Sequence, residues 1–434
     1  MGVQCGSGCP NAGWYAVLCV HIDWLLWTGL LKGLGVMLPT LQEQFKADTW
    51  MIGGLIATIT AVGSVAGLLS RPLDVLFGTS IVVTVCGFLL GASVIVSSFL
   101  TGTLQMTLVL CVVAGPGLVI PNILSRAMTG RYFTTNYATV NGIATAGDAV
   151  GLIFAPFTQV LLDTYGWRGA MLLLGAISMH LGVCGLLLRP PPPSAEGRDD
   201  YLPIISSAKG PSLDDQESAA AEKKSLLRIL KDAVQARGNL FGGAVFRRAA
   251  FWIAALVYVG HVFAGTLWLI YFIAYAKSKG FSGYEAVTFT TAAGIGNLVI
   301  RILLGLMVDQ GWLKLRLAVL ISITICGLAL LTLPWANSFW LMIGNAVIYD
   351  GFFGAKASLV DIYTRELLGA EELVSAFSWM DLLTAIIQIT FGFFPGWIFD
   401  QTGSYHMAFI ILGLISFLPL VSLLVEIVIN KGKG

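Results

Sequence analysis

The chain has 434 residues, of which 56% are hydrophobic and only 11% charged, and its formal net charge is +1. Soluble domains carry about 25% charged residues, so this composition excludes an ordinary soluble enzyme and indicates an integral membrane protein. The near-neutral charge and the lack of a basic block give no indication of nucleic-acid binding. No phosphate-binding loop of the form G-x-x-x-x-G-K-[ST] occurs, which argues against an ATP-driven pump.

Apolar stretches close to the ~20 residues that span a bilayer as a helix follow one another along the chain. Barrel strands would be nearer ~10 residues and would alternate in polarity, so we predict an all-α membrane protein. The twelve predicted helices lie near residues 14–38, 50–70, 79–99, 104–128, 137–162, 168–188, 249–275, 284–308, 315–334, 338–361, 373–399 and 404–429.

A polar segment, 189–248, separates the sixth helix from the seventh and begins with a run of prolines that cannot continue a helix. Its residues 223–231 have the pattern of an amphipathic helix, lying on the membrane surface or free in the cytoplasm. Most Lys and Arg residues fall on the linker's side, which predicts cytoplasmic termini. The predicted organisation is a cytoplasmic N-terminus (1–13), two six-helix bundles (14–188 and 249–429), the cytoplasmic linker (189–248) and a cytoplasmic tail (430–434).

The two halves of the sequence resemble each other. Asp74 follows the second helix as Asp309 follows the eighth. Residues 161–166 resemble residues 398–403, which lie further along the chain by nearly the same number of residues. Two six-helix repeats predict the major facilitator architecture, with the substrate site near the midplane between the halves.

The seven cysteines give no sign of a metal centre, and we expect no cofactor. Five of them lie in apolar runs, where cysteine packs as a small hydrophobe. Cys5 and Cys9 have no second pair or histidines to complete a zinc site, although palmitoylation is an alternative for them. The N-terminus lacks the features of a cleaved signal peptide.

The main candidate for a binding residue is Arg301, an arginine in the middle of the apolar eighth helix. A charge at bilayer depth costs about 2.5–3.5 kcal/mol on insertion scales, so such a residue is a functional candidate by default. Asn297 lies one turn earlier on the same face and can point into the same cavity. The alternative is an arginine paired with a buried carboxylate on another helix, for packing alone.

The first helix carries a polar stripe of His21, Thr28 and Lys32, which in lipid must face the protein interior or a water-filled path. A buried ammonium at Lys32 would attract a carboxylate, whereas the alternative is that it snorkels to the membrane surface. Asp23 faces away from Lys32, and we expect it to bond to a neighbouring helix.

Several further residues are candidates for substrate contact, proton exchange or bending. In the tenth helix, Gly351 and Gly354 permit close helix approach and would let Phe353 project into a cavity. Asp148 is an intramembrane acid in the fifth helix, and Asp350, Asp381 and Lys356 are further charges inside predicted helices. In the fourth helix Gly115, Pro116 and Gly117, with Pro121, predict a kink.

These segments resemble the monocarboxylate transporter family of the major facilitator superfamily over nearly all of the transmembrane chain. The resemblance rests on Gly13-Trp14 near the N-terminus, Tyr132-Phe133 and Asn141-Gly142 around the fifth helix, Ala144-Thr-Ala-Gly147-Asp148, and the Gly166-Trp-Arg-Gly169 turn. The family's N-terminal aspartate is Asn11 here, its basic residues after Tyr-Phe are Thr135-Asn136, and its serine after Ala-Gly is Asp148.

Carried over by position, the resemblance implies that Lys32 and Arg301 bind a substrate carboxylate and that Phe353 gates the path. It implies no catalytic residue. The family's proton-carrying acid, one turn before the arginine, is Asn297 here, so proton coupling by the usual route is in doubt. His21 and Asp148 are the substitute candidates, and Asp23 is a weaker one.

The sequence therefore predicts a plasma-membrane carrier for small monocarboxylates or related organic anions, working by rocker-switch alternating access. The first alternative is an uncoupled carrier of a zwitterion, such as an amino acid or a creatine-like compound, whose cation an acid such as Asp148 could meet. A non-transporting receptor or trafficking partner is an alternative from another class. The resemblance also suggests a single-pass ancillary glycoprotein as a partner.

Overall fold

The computed structural model describes residues 12–45, 49–133, 136–152, 154–189 and 241–431, and the regular structure within these ranges is helical. The amphipathic helix predicted at 223–231, the cysteines at 5 and 9, and residues 432–434 of the predicted tail lie outside the described residues.

Six helical rods form the N-terminal half. Helix α1 is Ala12–Phe45; α2 is Thr49–Gly67 followed by Ser70–Phe77; α3 is Thr79–Ser97; and α4 comprises Thr103–Val109, a π-helical turn Leu110–Ala114, and Gly115–Tyr132. Helix α5 comprises Tyr137–Thr145, Gly147–Gly151 and the first part of Phe154–Ser178. The chain turns inside that last element at Gly166, whose φ of 69° favours glycine. Helix α6 follows the turn and ends with His180–Leu187.

The C-terminal half begins with a short 3-10 turn, Gly243–Arg247, and continues with six more rods. These are α7, Ala249–Ser278; α8, Gly283–Asp309; α9, Leu315–Thr332; α10, Phe339–Leu368; α11, Leu373–Phe391 with Phe394–Thr402; and α12, His406–Ile415 with Pro419–Lys431. Helix α8 starts with a capping box in which the Ser282 hydroxyl accepts from the N–H of Glu285.

Helical segments correspond to all twelve predicted spans, with differences at four of them. Nine helices of the described chain are long and apolar enough to cross a membrane, and the two pieces of α2, bent by 51°, make a tenth when they are counted as one span. The other two are the fifth, which is interrupted near residues 146 and 152, and the tenth, which carries several charged residues. The first and tenth helices also extend past their predicted ends, to Phe45 and Leu368.

Small residues let the helices of each half approach closely, as packing in lipid requires. A Cβ on Gly63 of α2 would lie 2.6 Å from the carbonyl oxygen of Gly115 in α4. In the other half, a Cβ on Gly351 or Gly354 of α10 would overlap Ile300 or Asn297 of α8. The side chains of α8 therefore pack directly on the backbone of α10.

The two halves meet mainly at the end of the bundle that carries the linker, which we call the linker end. There α2 packs on α11, and α5 packs on α8 and α10. Asp309, at the end of α8, accepts hydrogen bonds from the first-turn N–H groups of Ala138 (3.1 Å) and Thr139 (2.6 Å) in α5. An acid at a helix N-terminus is favourable because the exposed N–H groups are partly positive.

The repeat-related acid Asp74 makes its contacts inside the N-terminal half. It accepts from the Thr79 hydroxyl at 2.5 Å and lies 3.8 Å from Nη1 of Arg131. The two positions matched in the sequence thus share a location at the linker end but have different partners.

The packing of α2 on α4 can be tested by Gly63→Ala. Its Cβ would press on the Gly115 carbonyl and on Val119, both at 2.6 Å, and such overpacking costs about 1–3 kcal/mol. Gly344→Ala in α10 is the matched control because nothing lies within 4 Å of its Cβ, while both substitutions share the higher helix propensity of alanine. We expect a lower apparent unfolding temperature of the purified protein for Gly63→Ala only; equal temperatures would contradict this packing.

Candidate functional site

Arg301 lies at the interface between the halves and is paired there. Its side chain is 1% exposed, and its Nη2 donates to Oδ2 of Asp148 in α5 at 3.2 Å. Nη1 donates to the backbone carbonyl of Thr145, on the same helix of the opposite half. Nε is buried without a hydrogen-bond partner among the described residues. The arginine therefore binds a carboxylate and a carbonyl that belong to the other repeat.

The interruption of α5 helps to place Asp148 beside Arg301. The helix breaks at Ala146, and a Cβ on Gly147 or Gly151 would overlap the backbone of α1. Because α5 lies so close to α1, the hydroxyl of Thr28 donates to Oδ1 of Asp148 at 2.6 Å. With 20% of its side chain exposed, Asp148 is the more accessible member of the pair.

Asn297 bonds to an acid that the sequence alone did not pair with it. Its Nδ2 donates to Oδ2 of Asp350 in α10 at 3.2 Å, and its Oδ1 is buried and unpartnered within the described chain. Gly354 makes this possible, since any larger residue would overlap the amide of Asn297. Asn297 and Asp350 are 1% and 4% exposed.

Lys32 reaches across to the C-terminal half. Its Nζ donates to the backbone carbonyl of Leu269 in α7 at 3.1 Å, so in this conformation it contacts the opposite half. The acids whose charges act on this ammonium are Asp350 and Asp148. Lys32 and Arg301, from different halves, therefore share the same two acids as electrostatic neighbours.

Phe353 is part of an aromatic column between α7 and α10. Its ring stacks on His261 with centroids 4.3 Å apart and is nearly parallel to Tyr349 at 6.0 Å. The close approach is allowed by Gly265, where a Cβ would overlap the Phe353 ring. Lys356 lies one turn further along α10 and is 2% exposed.

The remaining proton-site candidates lie away from the Arg301–Asp148 pair. Nδ1 of His21 is 2.9 Å from the carbonyl oxygen of Ile143 in α5. Oδ2 of Asp23 accepts from Nδ2 of Asn122 in α4 at 2.6 Å, and Asp23 is fully buried. Of the acids proposed from the sequence, the structure therefore brings only Asp148 into contact with Arg301.

Sequence reasoning missed a buried ion pair between the halves. Arg126 lies two residues before the end of the fourth predicted helix, near residue 128, and the structure places it inside α4 at 3% exposure, with its guanidinium on the carboxylate of Asp361 in α10. Nε donates to Oδ2 of Asp361 at 3.1 Å, and Nη2 donates to Oδ1. The spacing of Asn122 and Arg126, one helical turn, was the signal that could have revealed a polar face here.

A hydrogen-bonded network extends from this ion pair in both directions. Arg126 donates to Oδ1 of Asn122 at 3.2 Å, which links it to Asp23, and to the hydroxyl of Tyr258 at 3.3 Å. Tyr258 in turn donates to Asp381 at 2.6 Å. We call this set, together with Asp361, the Arg126 network; it joins α1 and α4 to α7, α10 and α11.

The Gly115-Pro116-Gly117 segment directly follows the π-helical turn Leu110–Ala114 of α4. A π-turn is a recognised cause of helix irregularity. Gly115 also lies against Ile59 and Gly63 of α2, so this stretch combines an irregular backbone with the tight contact between α2 and α4.

Comparison with known proteins identifies the class of protein. The family model of the Major Facilitator Superfamily matches residues 16–355. The fold is similar to a proton:xylose symporter, XylE, with a TM-score of 0.71 at 14% identity over 95% of each chain. It is also similar to the human organic anion transporter MFSD10, with a TM-score of 0.65 at 15% identity over 95% of this chain and 99% of that one. The chain is a multi-pass membrane transporter of the major facilitator fold, not an enzyme.

Curated relatives narrow the class further. Human monocarboxylate transporter 11 is 30% identical over 421 residues, which cover 94% of this chain and 82% of that protein. Rat monocarboxylate transporter 12 is 27% identical over 94% of this chain and 84% of that protein. Rat monocarboxylate transporter 2 is 28% identical over 94% of this chain and 81% of that protein. The chain belongs to the monocarboxylate transporter family, among its atypical members.

The Arg126 network predicts that Asp361→Asn destabilises the conformation seen here. The change leaves a buried guanidinium without its carboxylate, and breaking a buried pair in this way costs about 3–5 kcal/mol. The apparent unfolding temperature of the purified protein should fall by several degrees. Asp400→Asn, at an exposed carboxylate of α11, is the control and should leave it unchanged; a similar temperature for both variants would mean that the pair contributes nothing.

Proposed function

We propose that this protein carries small monocarboxylates or related organic anions across the membrane by rocker-switch alternating access. The observation that carries the proposal is the pairing of Arg301, buried at the interface of the halves, with a carboxylate of the opposite half. A guanidinium that holds the Asp148 carboxylate has the geometry to hold a substrate carboxylate in its place.

Arg301 suits this role because its planar fork binds a carboxylate through two parallel N–H donors, which a lysine ammonium cannot do. Lys32 supplies a second cation from the opposite half. Its present partner is a backbone carbonyl, and a substrate carboxylate would be a stronger, charge-assisted acceptor for the same ammonium. Phe353, held between His261 and Gly265, would form an apolar wall beside the substrate's carbon chain.

Alternating access requires the contacts at the linker end to break while contacts at the opposite end form. The Arg126 network and the Asp309 cap close the linker end in this conformation. A substrate can shift that equilibrium only by binding one conformation more tightly than the other. Arg301 and Lys32 fit this requirement, since each already contacts the opposite half.

Proton coupling through the residue one helical turn before Arg301 is not open to this chain, because that residue is Asn297 and its amide does not titrate. The arginine stays charged at physiological pH and cannot replace it. Among His21, Asp23 and Asp148, the last is the strongest candidate for a proton site, since a substrate carboxylate on Arg301 would displace it from its partner. We expect wild-type uptake to depend only weakly on an inward proton gradient.

The same displacement supports a second candidate function, the uncoupled transport of a zwitterion. A carboxylate displaced from Arg301 loses its ion pair, which is costly inside the bilayer unless another positive charge neutralises it. An ammonium or guanidinium group on the substrate could do so at Asp148. Counterflow of labelled substrates with and without a pH gradient separates this function from proton-coupled transport.

A non-transporting receptor or trafficking partner is disfavoured, because buried cations at the interface would then be a cost without a use. We propose that both termini lie in the cytoplasm, on the distribution of Lys and Arg residues, and that the protein lies in the plasma membrane, through the family resemblance alone. A single-pass ancillary glycoprotein is a candidate partner through the family resemblance alone.

Arg301→Lys tests the carboxylate site. The variant keeps a positive charge beside Asp148 but loses the fork, so surface expression should persist while uptake of small carboxylates falls at least about tenfold, the effect of one lost charge-assisted hydrogen bond. Arg301→Ala should abolish uptake. Labelled-carboxylate uptake at equal surface expression is the measurement, and normal uptake by either variant would refute the role of Arg301.

Asn297→Asp tests the proton argument. The new carboxylate would lie against Asp350, and two carboxylates that share a site retain one proton between them. Uptake by the variant should therefore gain at acidic external pH relative to neutral pH. Strong acid stimulation of the wild-type protein would instead show that another group carries a proton.

A further inference from the structure

Asp23 is a fully buried acid whose single hydrogen bond leaves one carboxylate oxygen unused. Its Oδ2 accepts from Nδ2 of Asn122 at 2.6 Å, and its Oδ1 has no partner within the described residues. A carboxylate can accept several hydrogen bonds, and an uncharged side chain could accept this one at a lower desolvation cost. The bonds seen in this conformation therefore give no reason for an acid at position 23.

This acid lies one amide group away from the guanidinium of Arg126. The side chain of Asn122 donates to Asp23 through Nδ2 and accepts from Nη1 of Arg126 through Oδ1, at 3.2 Å. Trp24, the neighbour of Asp23 in α1, has its ring centre 5.8 Å from the guanidinium carbon. All four residues belong to α1 and α4 of the N-terminal half, so a movement between the halves leaves them together.

Most partners of Arg126 belong to the opposite half. Of its four hydrogen bonds within the described chain, two go to the carboxylate of Asp361 in α10 and one to the hydroxyl of Tyr258 in α7. The guanidinium carbon also lies 4.3 Å from the ring centre of Phe377 in α11. Separation of the halves at the linker end would remove these three residues and leave one hydrogen bond, to Asn122. Water can replace part of this loss, but a carboxylate binds a guanidinium more strongly through paired donors.

We propose that Arg126 exchanges carboxylates as the transporter changes conformation. Asp361 of the opposite half binds it while the linker end is closed, and Asp23 of its own half binds it when that end opens. The inference rests on the alternating access proposed above and goes beyond it by naming the group that stabilises the open linker end. Asp23 is a positioning residue in this scheme, since it sets the balance between two conformations and touches no substrate.

A reporter cysteine measures how often the linker end opens. Ser358→Cys introduces a thiol of similar size at a buried position of α10, next to Asn141 of the opposite half, whose Nδ2 donates to the carbonyl oxygen of Ser358 at 3.0 Å. This thiol should react with a maleimide dye only when the halves separate there. The labelling rate is measured on the purified transporter, and the labelling of the protein without the reporter is subtracted.

Asp23→Asn and Asp361→Asn should change this rate in opposite directions. Asp23→Asn keeps an oxygen for the Asn122 amide but removes the carboxylate of the open conformation, so labelling should slow by at least about tenfold, as the loss of a hydrogen bond between charged groups predicts. Asp361→Asn removes the carboxylate of the closed conformation, so labelling should become faster. Adding Asp23→Asn to Asp361→Asn should bring the rate back toward that of the wild type.

Glu426→Gln is the matched control, because Glu426 is a buried acid bonded to Arg316 and Tyr363 of its own half. It should leave the labelling rate unchanged. If Asp23 only ties α1 to α4, Asp23→Asn would lower the unfolding temperature without slowing the labelling. That result, or a double variant that labels as fast as Asp361→Asn, would overturn the exchange.

Two further substitutions cover the case in which Asp23→Asn does not fold. Asp23→Ser offers Asn122 an uncharged acceptor and should slow the labelling, whereas Asp23→Glu keeps the carboxylate and should label near the wild-type rate. Equal rates for these two variants would contradict the proposal. If the reporter reacts in none of the folded proteins, the linker end does not open and alternating access itself fails. Labelling that does not depend on position 23 leaves alternating access intact and rejects only the exchange.

Discussion

Lipid offers no water to a charged side chain, so each ionised group buried in this transporter needs a partner of opposite charge or an oxygen to bond to. Arg301 shows the consequence most clearly, since its partners Asp148 and Thr145 both lie in the opposite half. The pairing ties α8 to α5 at the point where the substrate is expected. The proposed binding site and a contact between the halves are therefore made from the same side chains.

In the proposed mechanism this sharing couples substrate binding to the movement of the halves. A substrate that takes over Arg301 would also remove a contact between the halves, and the free energy of binding would thereby act on the equilibrium between conformations. The Arg126 network is different because the carboxylate of Asp361 accepts from both Nε and Nη2 of Arg126, which leaves the guanidinium fully paired. We interpret that network as the contact that holds the linker end closed and the Arg301–Asp148 pair as the one that ligand can exchange.

Glycine determines how closely these side chains can meet. Gly147 and Gly151 bring α5 against α1, so that Asp148 reaches Thr28, and Gly354 brings α8 against α10, so that Asn297 reaches Asp350. In both places a methyl group would push the helices apart. The polar contacts of the site therefore depend on small residues that carry no chemistry themselves.

Hydrophobic length was enough to predict the twelve helices, because in a membrane each span must satisfy its own backbone hydrogen bonds. The two repeats were predicted from residue matches at one offset, and the family from its resemblance to short motifs such as Ala144–Asp148 and Gly166–Gly169. The sequence also singled out Arg301, Lys32 and Asp148 one by one, since a charge inside an apolar run is visible without any structure. It could not pair them. Arg301 and Asp148 are 153 residues apart, and Arg126, near the predicted end of the fourth helix, is buried against Asp361 235 residues away. Such pairings depend on how the two repeats are placed against each other, and that placement is set by contacts between side chains distant in the sequence, which only the tertiary structure specifies.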